Sequence, residues 1–90
     1  MDSAQANKPP VGVVIVNHNL KDSLRATLES FKQVNYPSVT IVVSDNASTD
    51  GAQEMVRTLF PDVHLLAHKE EQGYARAASL GMAFLADKTK

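Results

Sequence analysis

VTIVVSDNASTDG (residues 39–51) decides how the rest of the chain is read. Its first five residues are apolar or β-branched, and the run ends abruptly in Ser44 and Asp45. All of the next six residues except Ala47 are turn or helix-cap types. Beyond them Ala52, Met55, Val56, Leu59 and Phe60 recur at i, i+3, i+4, i+7 and i+8, which predicts a one-sided helix closed by Pro61. A short buried strand that hands over to an amphipathic helix through a polar loop is the first half of a βαβ unit.

The same cycle appears on both sides. Upstream, VGVVIV (residues 11–16) is apolar without period-2 alternation, which predicts a strand covered on both faces. Asn17, His18 and Asn19 end it, and Leu24, Leu28, Phe31 and Val34 then fall at helical spacing until Asn35, Tyr36 and Pro37 stop the helix. Downstream, VHLLA (63–67) predicts a third strand, residues 68–73 a polar loop, and Tyr74, Ala78, Met82 and Leu85 mark a third helix. Crossovers long enough to hold a helix join parallel strands in the right-handed sense. The expected fold is therefore α/β, a Rossmann-like three-layer βαβαβα unit. Such arrays bind ligands at the carboxyl ends of their strands, where helix N-termini offer free N–H groups. Three loops qualify: Asn17 to Asn19, Asp45 to Gly51, and Glu70 to Gly73.

Composition excludes several classes. Ninety residues make one small domain, and 43% hydrophobic with 21% charged residues is a folding composition rather than a disordered one. Nine basic and ten acidic residues are mixed along the chain, so no basic stripe exists to track a nucleic acid. The lack of cysteine removes disulfides and thiolate metal sites and suits a reducing compartment, so a cytoplasmic location is expected. No segment approaches the roughly 20 apolar residues of a membrane helix. Residues 1–10, ending in two prolines, are expected to be a disordered leader.

Within the three loops each residue has a structural use beside a functional one. Asp45, one step past a buried run, can accept hydrogen bonds from a nucleobase or ribose, or cap its own loop as an Asx turn. Ser48, Thr49 or Asp50 can be the N-cap of the second helix, and Asp50 with Gln53 has capping-box spacing. His18 can stack on a flat ring or lie solvated in its loop. Gly73 and Arg76 can form an anion site at a helix N-terminus or be plain surface. His64 and His68 have no ligand-like spacing and are expected to be structural. Neither GxxxxGK[ST] nor GxGxxG occurs, and Asp45, Asp50, Asp62 and Asp87 are too scattered for a D-x-D metal pair.

Taken in order, VGVVIVNHN, LRATLESFKQVNYP, VTIVVSDNASTDGAQEMV and FPDVHLLAHKEEQGYARAASLGMAF resemble the N-terminal segment of family 2 glycosyltransferases with the GT-A fold. The likeness runs from Val11 to about Leu85 and is greatest for the rhamnosyltransferase-like branch. It implies a nucleoside-diphosphate sugar donor, of UDP or dTDP type, lying across the strand ends. By this resemblance Asp45 binds the base, Val16, Asn17 and His18 flank it, and Gly73, with Tyr74 and Arg76 more loosely, faces the donor. His18 stands where members often carry an aromatic residue, and Ser79 where many carry Asn. The resemblance also implies inversion at the anomeric carbon, a D-x-D strand holding Mg²⁺ or Mn²⁺, and an acidic base. Neither of the latter is encoded before Lys90. The chain is accordingly expected to be a partial donor-binding domain, residues 11–90, inactive alone, with no metal of its own. The partner of the first strand in such a sheet would follow Lys90, so self-association through residues 11–16 is also expected. The competing expectation is a small non-catalytic α/β interaction module that uses that edge or the loops.

Overall fold

The computed structural model describes residues 10–34 and 38–88. The expected leader, apart from Pro10, and the helix stop at Asn35, Tyr36 and Pro37 lie outside them. In chain order the elements are β1 (Val11–Asn17), α1 (Lys21–Lys32), β2 (Val39–Asn46), α2 (Ala52–Leu59), β3 (His64–His68) and α3 (Tyr74–Lys88). The strands form one parallel sheet in the order β1-β2-β3. The α/β, Rossmann-like reading of the sequence holds.

Strand parity assigns the two faces. Ile15, Ile41, Val43 and Leu65 pack with Leu24 and Leu28 of α1 and Met55 and Val56 of α2. The alternate residues face α3: an added Cβ on Gly81 would lie 2.6 Å from Val14 Cγ1, and one on Gly12 2.8 Å from Leu85 Cδ1. Ring contact between His64 and Phe84, with centroids 5.1 Å apart, continues that face onto β3. Both faces are thus covered, but an unbroken run of buried residues is reached only on the central strand, from Val42 to Asn46. Val42, Val43, Ser44 and Asp45 have no exposure at all, whereas Val13 to Val16 on β1 are half-buried and Val11 is exposed. The expectation that β1 is covered on both faces is met only in part, because among the described residues its outer edge has no strand partner. That unpaired edge is what the expected self-association requires.

Two further differences have physical reasons. The stripe expected on α3 was Tyr74, Ala78, Met82 and Leu85, yet Tyr74 and Met82 are exposed and the buried residues are Ala77, Gly81 and Leu85. Small residues let the helix axis come close to β1 and β2, and this proximity replaces bulk as the source of packing. Strand β2 also runs three residues beyond the apolar stretch, through Asn46, because Ser44, Asp45 and Asn46 find side-chain partners that make their burial tolerable.

Gly81 is the tightest point of this packing. Val14 is β-branched and has little rotamer freedom with which to yield. Gly81→Val is expected to lower stability by about 1–3 kcal/mol through overpacking, despite the better helix propensity of valine. A urea midpoint equal to or above that of the unaltered chain would contradict this packing.

Candidate functional site

The carboxyl ends of β1 and β2 are joined by side chains before any ligand is considered. Register places Asn17 beside Asp45, and Asn17 Nδ2 donates to Asp45 Oδ1 at 2.9 Å and to Ser48 Oγ at 3.2 Å. Ser48 donates twice, from its hydroxyl to Asp45 Oδ1 at 2.8 Å and from its backbone N–H to Asp45 Oδ2 at 2.9 Å. Gln53, on the first turn of α2, donates Nε2 to Asp45 Oδ2 at 2.8 Å. One carboxylate with about four lone-pair sites therefore meets four donors.

The neighbouring loops are closed in the same way. Asn19, in the left-handed region at φ 54°, donates its N–H to Ser48 Oγ and accepts from Thr49 N–H at 2.7 Å. Asp50 divides its carboxylate between two helices, Oδ2 accepting from Lys21 N–H at the start of α1 and Oδ1 from Ala52 N–H at the start of α2. A negative charge between two helix N-termini also suits both helix dipoles. The expected capping box does not form: Gly51, rather than Ser48, Thr49 or Asp50, is the N-cap residue of α2, and Gln53 turns to Asp45. Ala47 adopts φ 54° without being glycine or asparagine, held by its N–H to the Asp45 carbonyl.

Asn46, of opposite parity to Asp45, ties in the third loop. Its Oδ1 accepts from Gln72 N–H at 3.1 Å and its Nδ2 donates to the Gly73 carbonyl at 3.3 Å. Gly73, at φ 77°, then starts α3, where its carbonyl also accepts from Ala77 N–H. The carbonyl of Asn46 accepts from His18 Nδ1, which fixes the proton on that nitrogen and leaves Nε2 facing Asn19 Nδ2 at 3.4 Å and Glu71 Oε2 at 3.5 Å. Above this network lies an open cleft of about 390 Å³, lined by Val16, His18, Leu20, Asn46, Glu71 and Tyr74. Tyr74 and Leu20, both in the cleft lining, are 75% and 60% exposed. The apolar cavity among Leu28, Phe31, Val39 and Phe60 lies at the other end of the sheet, away from the helix N-termini, and is a gap in a thin core.

Of the residues singled out from sequence, Asn17 and Asp45 bond directly, Val16 and His18 share the cleft, and Gly73 is joined to them through Asn46. Arg76 is exposed on the first turn of α3, donating Nε to Gln72 Oε1 at 2.9 Å, and does not line the cleft. His68 meets buried Ser44 at 2.7 Å and His64 meets Phe84, so both are structural as expected. Asn46, Ser48, Gln53, Leu20 and Glu71 were not singled out as ligand-site residues. Running the strand on to residue 46 would have placed Asn46 opposite Asp45 by parity alone. No such signal pointed to the others.

The family model for Glycosyl transferase family 2 matches residues 12–87. The chain belongs to glycosyltransferase family 2. Among solved structures it is similar to a mannosyltransferase from Pyrobaculum calidifontis, solved in complex with GDP-Man and Mn²⁺. The TM-score is 0.74 and the identity 25%, over 91% of this chain and 29% of that one. The chain thus spans under a third of that enzyme's length. No curated protein sequence matches the chain. The resemblance seen in the sequence is therefore correct at the level of the family and of the GT-A fold. The solved relative holds Mn²⁺, but the described residues here do not fit a metal: no group of three His, Asp or Glu side chains is placed to hold an ion. Asp45 already has its oxygens engaged by protein donors. Among the described residues no helix is long and apolar enough to cross a membrane.

Burial opposes ionisation of Asp45, but the hydrogen bonds from Asn17, Gln53 and Ser48 outweigh it and hold the carboxyl below its ordinary value of 3.8. The unfolded chain therefore takes up this proton more readily than the folded one. Stability from Asp45 is present in full above the ordinary value and is lost as pH falls through the depressed one. Asp45→Asn is expected to destabilise the domain at pH 7 by about 2 kcal/mol, since a hydrogen-bonded charge is lost and an amide N–H₂ is turned toward donors. The gap between variant and parent should narrow as denaturation is repeated below about pH 4. A gap independent of pH would show that the carboxylate charge is not what holds the loops.

Proposed function

We propose that residues 11–90 are the donor-binding part of a catalytic domain, holding the nucleoside portion of a nucleoside-diphosphate sugar of UDP or dTDP type at the carboxyl ends of β1 and β2. The observation that carries this reading is the cleft lined by Val16, His18, Asn46 and Tyr74 at the carboxyl ends of β1 and β2, where Asn46 follows the buried, hydrogen-bonded Asp45 in the same strand. Exposed apolar and aromatic side chains in the lining of an open cleft suit a flat heterocycle, and the polar groups around it suit the N–H and hydroxyl groups of a nucleoside. The solved relative holding GDP-Man supports a nucleotide sugar as the ligand class.

In this reading Val16, Asn17, His18 and Asp45 serve the base, while Gly73 and Arg76 at the start of α3 lie toward the phosphates. The parent enzyme is read as a member of the rhamnosyltransferase-like branch that transfers sugar to an acceptor hydroxyl with inversion. Residues 11–90 are read as binding donor without transferring it. Charge on a diphosphate leaving group needs a cation, and the described residues bring no cluster to hold one. Removal of the acceptor proton needs a free base, and Asp45, buried and engaged by four donors, is not one.

Amide NMR titration with UDP, dTDP and GDP tests the binding half. Perturbations are expected at His18, Asp45 and Tyr74, larger for UDP or dTDP than for GDP. Tyr74→Ala is expected to weaken binding about tenfold, within the range that base–aromatic stacking contributes. Unchanged spectra at millimolar nucleotide would remove this assignment.

A further inference from the structure

Asp45 is fully buried, and its two oxygens already hold four hydrogen bonds. A nucleobase N–H can therefore reach this carboxylate only by displacing one of the donors. Three of the four come from residues that cannot leave singly. Asn17 is 3% exposed and bonds Ser48 as well as Asp45. Ser48 contributes a backbone N–H three residues on, within the loop itself, and its hydroxyl also accepts from Asn17 and from the Asn19 N–H. Gln53 differs in each respect. It is partly exposed, sits on a long flexible side chain, and makes this one side-chain hydrogen bond among the described contacts. Moving a single glutamine rotamer into water leaves the backbone and the other loops in place, and the amide regains hydrogen bonds there.

We infer that the Gln53 carboxamide is an internal stand-in for the ligand, its N–H occupying the Asp45 oxygen that a base N–H takes on binding. The inference rests on the nucleotide reading of the site given above. The chemistry is matched: a primary amide N–H and the imide or lactam N–H of uracil, thymine or guanine are neutral donors of similar geometry, and either can donate to Oδ2 of an ionised carboxylate. Gln53 is then an affinity-setting residue. While unliganded it supplies the fourth donor to a buried charge, the second on Oδ2 beside the Ser48 N–H, and every base that enters must first exchange with it.

The inference has a test that a purely structural role would not pass. In the whole 90-residue chain Gln53→Leu and Gln53→Met remove the competing donor while keeping length and helix propensity. Nucleotide affinity is measured by calorimetry, and folding is checked for each by thermal melting. Both variants are expected to melt at lower temperature yet to bind UDP about three- to tenfold more tightly, the range of one net hydrogen bond. The gain should vanish with 3-methyl-UDP, which lacks the N3–H, and with ribose 5-phosphate, which lacks the base. Folded variants that bind UDP equally or more weakly would overturn the inference while leaving the nucleotide site itself standing. If neither the parent chain nor either variant binds any nucleotide, the site assignment falls and the inference with it. UDP binding by the variants alone would support the exchange.

Discussion

A carboxylate with four donors, buried where a parallel strand ends, is the constraint on which the rest of this molecule depends. Asp45 sits at the meeting point of β1, the loop after β2 and the first turn of α2, and each of these reaches it through a different residue. None of those segments is long enough to fix its own geometry. Residues 17–19 are held by hydrogen bonds to Asp45, Asn46, Ser48 and Thr49 across the sheet end, and the loop after β2 includes an alanine in the left-handed region. Closing them on one charge makes their conformations mutually dependent, so the site is organised before any ligand arrives. Buried charges are stabilising only when paired or fully hydrogen-bonded. Here the donors are neutral, and full satisfaction takes the place of an ion pair.

Two layers with different freedom result. Below, on the α1/α2 side, Asn17, Asp45, Ser48 and Gln53 form a nearly closed polar core, and Asp50 bonds both flanking helix N-termini. Above, on the α3 side, His18, Glu71, Leu20 and Tyr74 are exposed and linked to the lower layer chiefly through Asn46. A site of this kind fixes the fold-bearing charge and leaves the recognising surface adjustable. Under the proposed nucleotide reading, such a division lets one scaffold hold one ligand class while the rim residues select among its members.

How much of this could be read from sequence follows from the kind of interaction involved. The alternation of β-branched runs with 3.6-periodic segments is local, so the order of elements and the strand-end position of Asp45 were legible. The glycosyltransferase family was legible because three motifs recur in fixed order between Val11 and Leu85, and the match over residues 12–87 confirms it. Non-local pairings were not legible. Asp50 and Gln53 have capping-box spacing, yet Asp50 also serves Lys21, 29 residues away, and Gln53 serves Asp45. Nothing in the local pattern says that a stronger, buried acceptor will win the glutamine. The face of α3 was misjudged for a related reason: periodicity marks large apolar residues, whereas close packing on β1 is achieved with Ala77 and Gly81.

The same three-stranded sheet explains where rigidity is available to the site at all. With one central strand, only β2 has a strand partner on both edges among the described residues, and its last residues can be buried polar groups because each finds hydrogen-bond partners there. Strands β1 and β3 each have an edge without a strand partner among the described residues, and the segments that follow them carry His18 and Glu71. The buried charge of Asp45 sits on β2, whereas the exposed His18 lies beyond an edge strand and is tied to β2 by one hydrogen bond, to the Asn46 carbonyl. Gln53 lies between the two cases, on a helix anchored by Met55 and Val56 but with a half-buried side chain held by a single side-chain hydrogen bond, to Asp45.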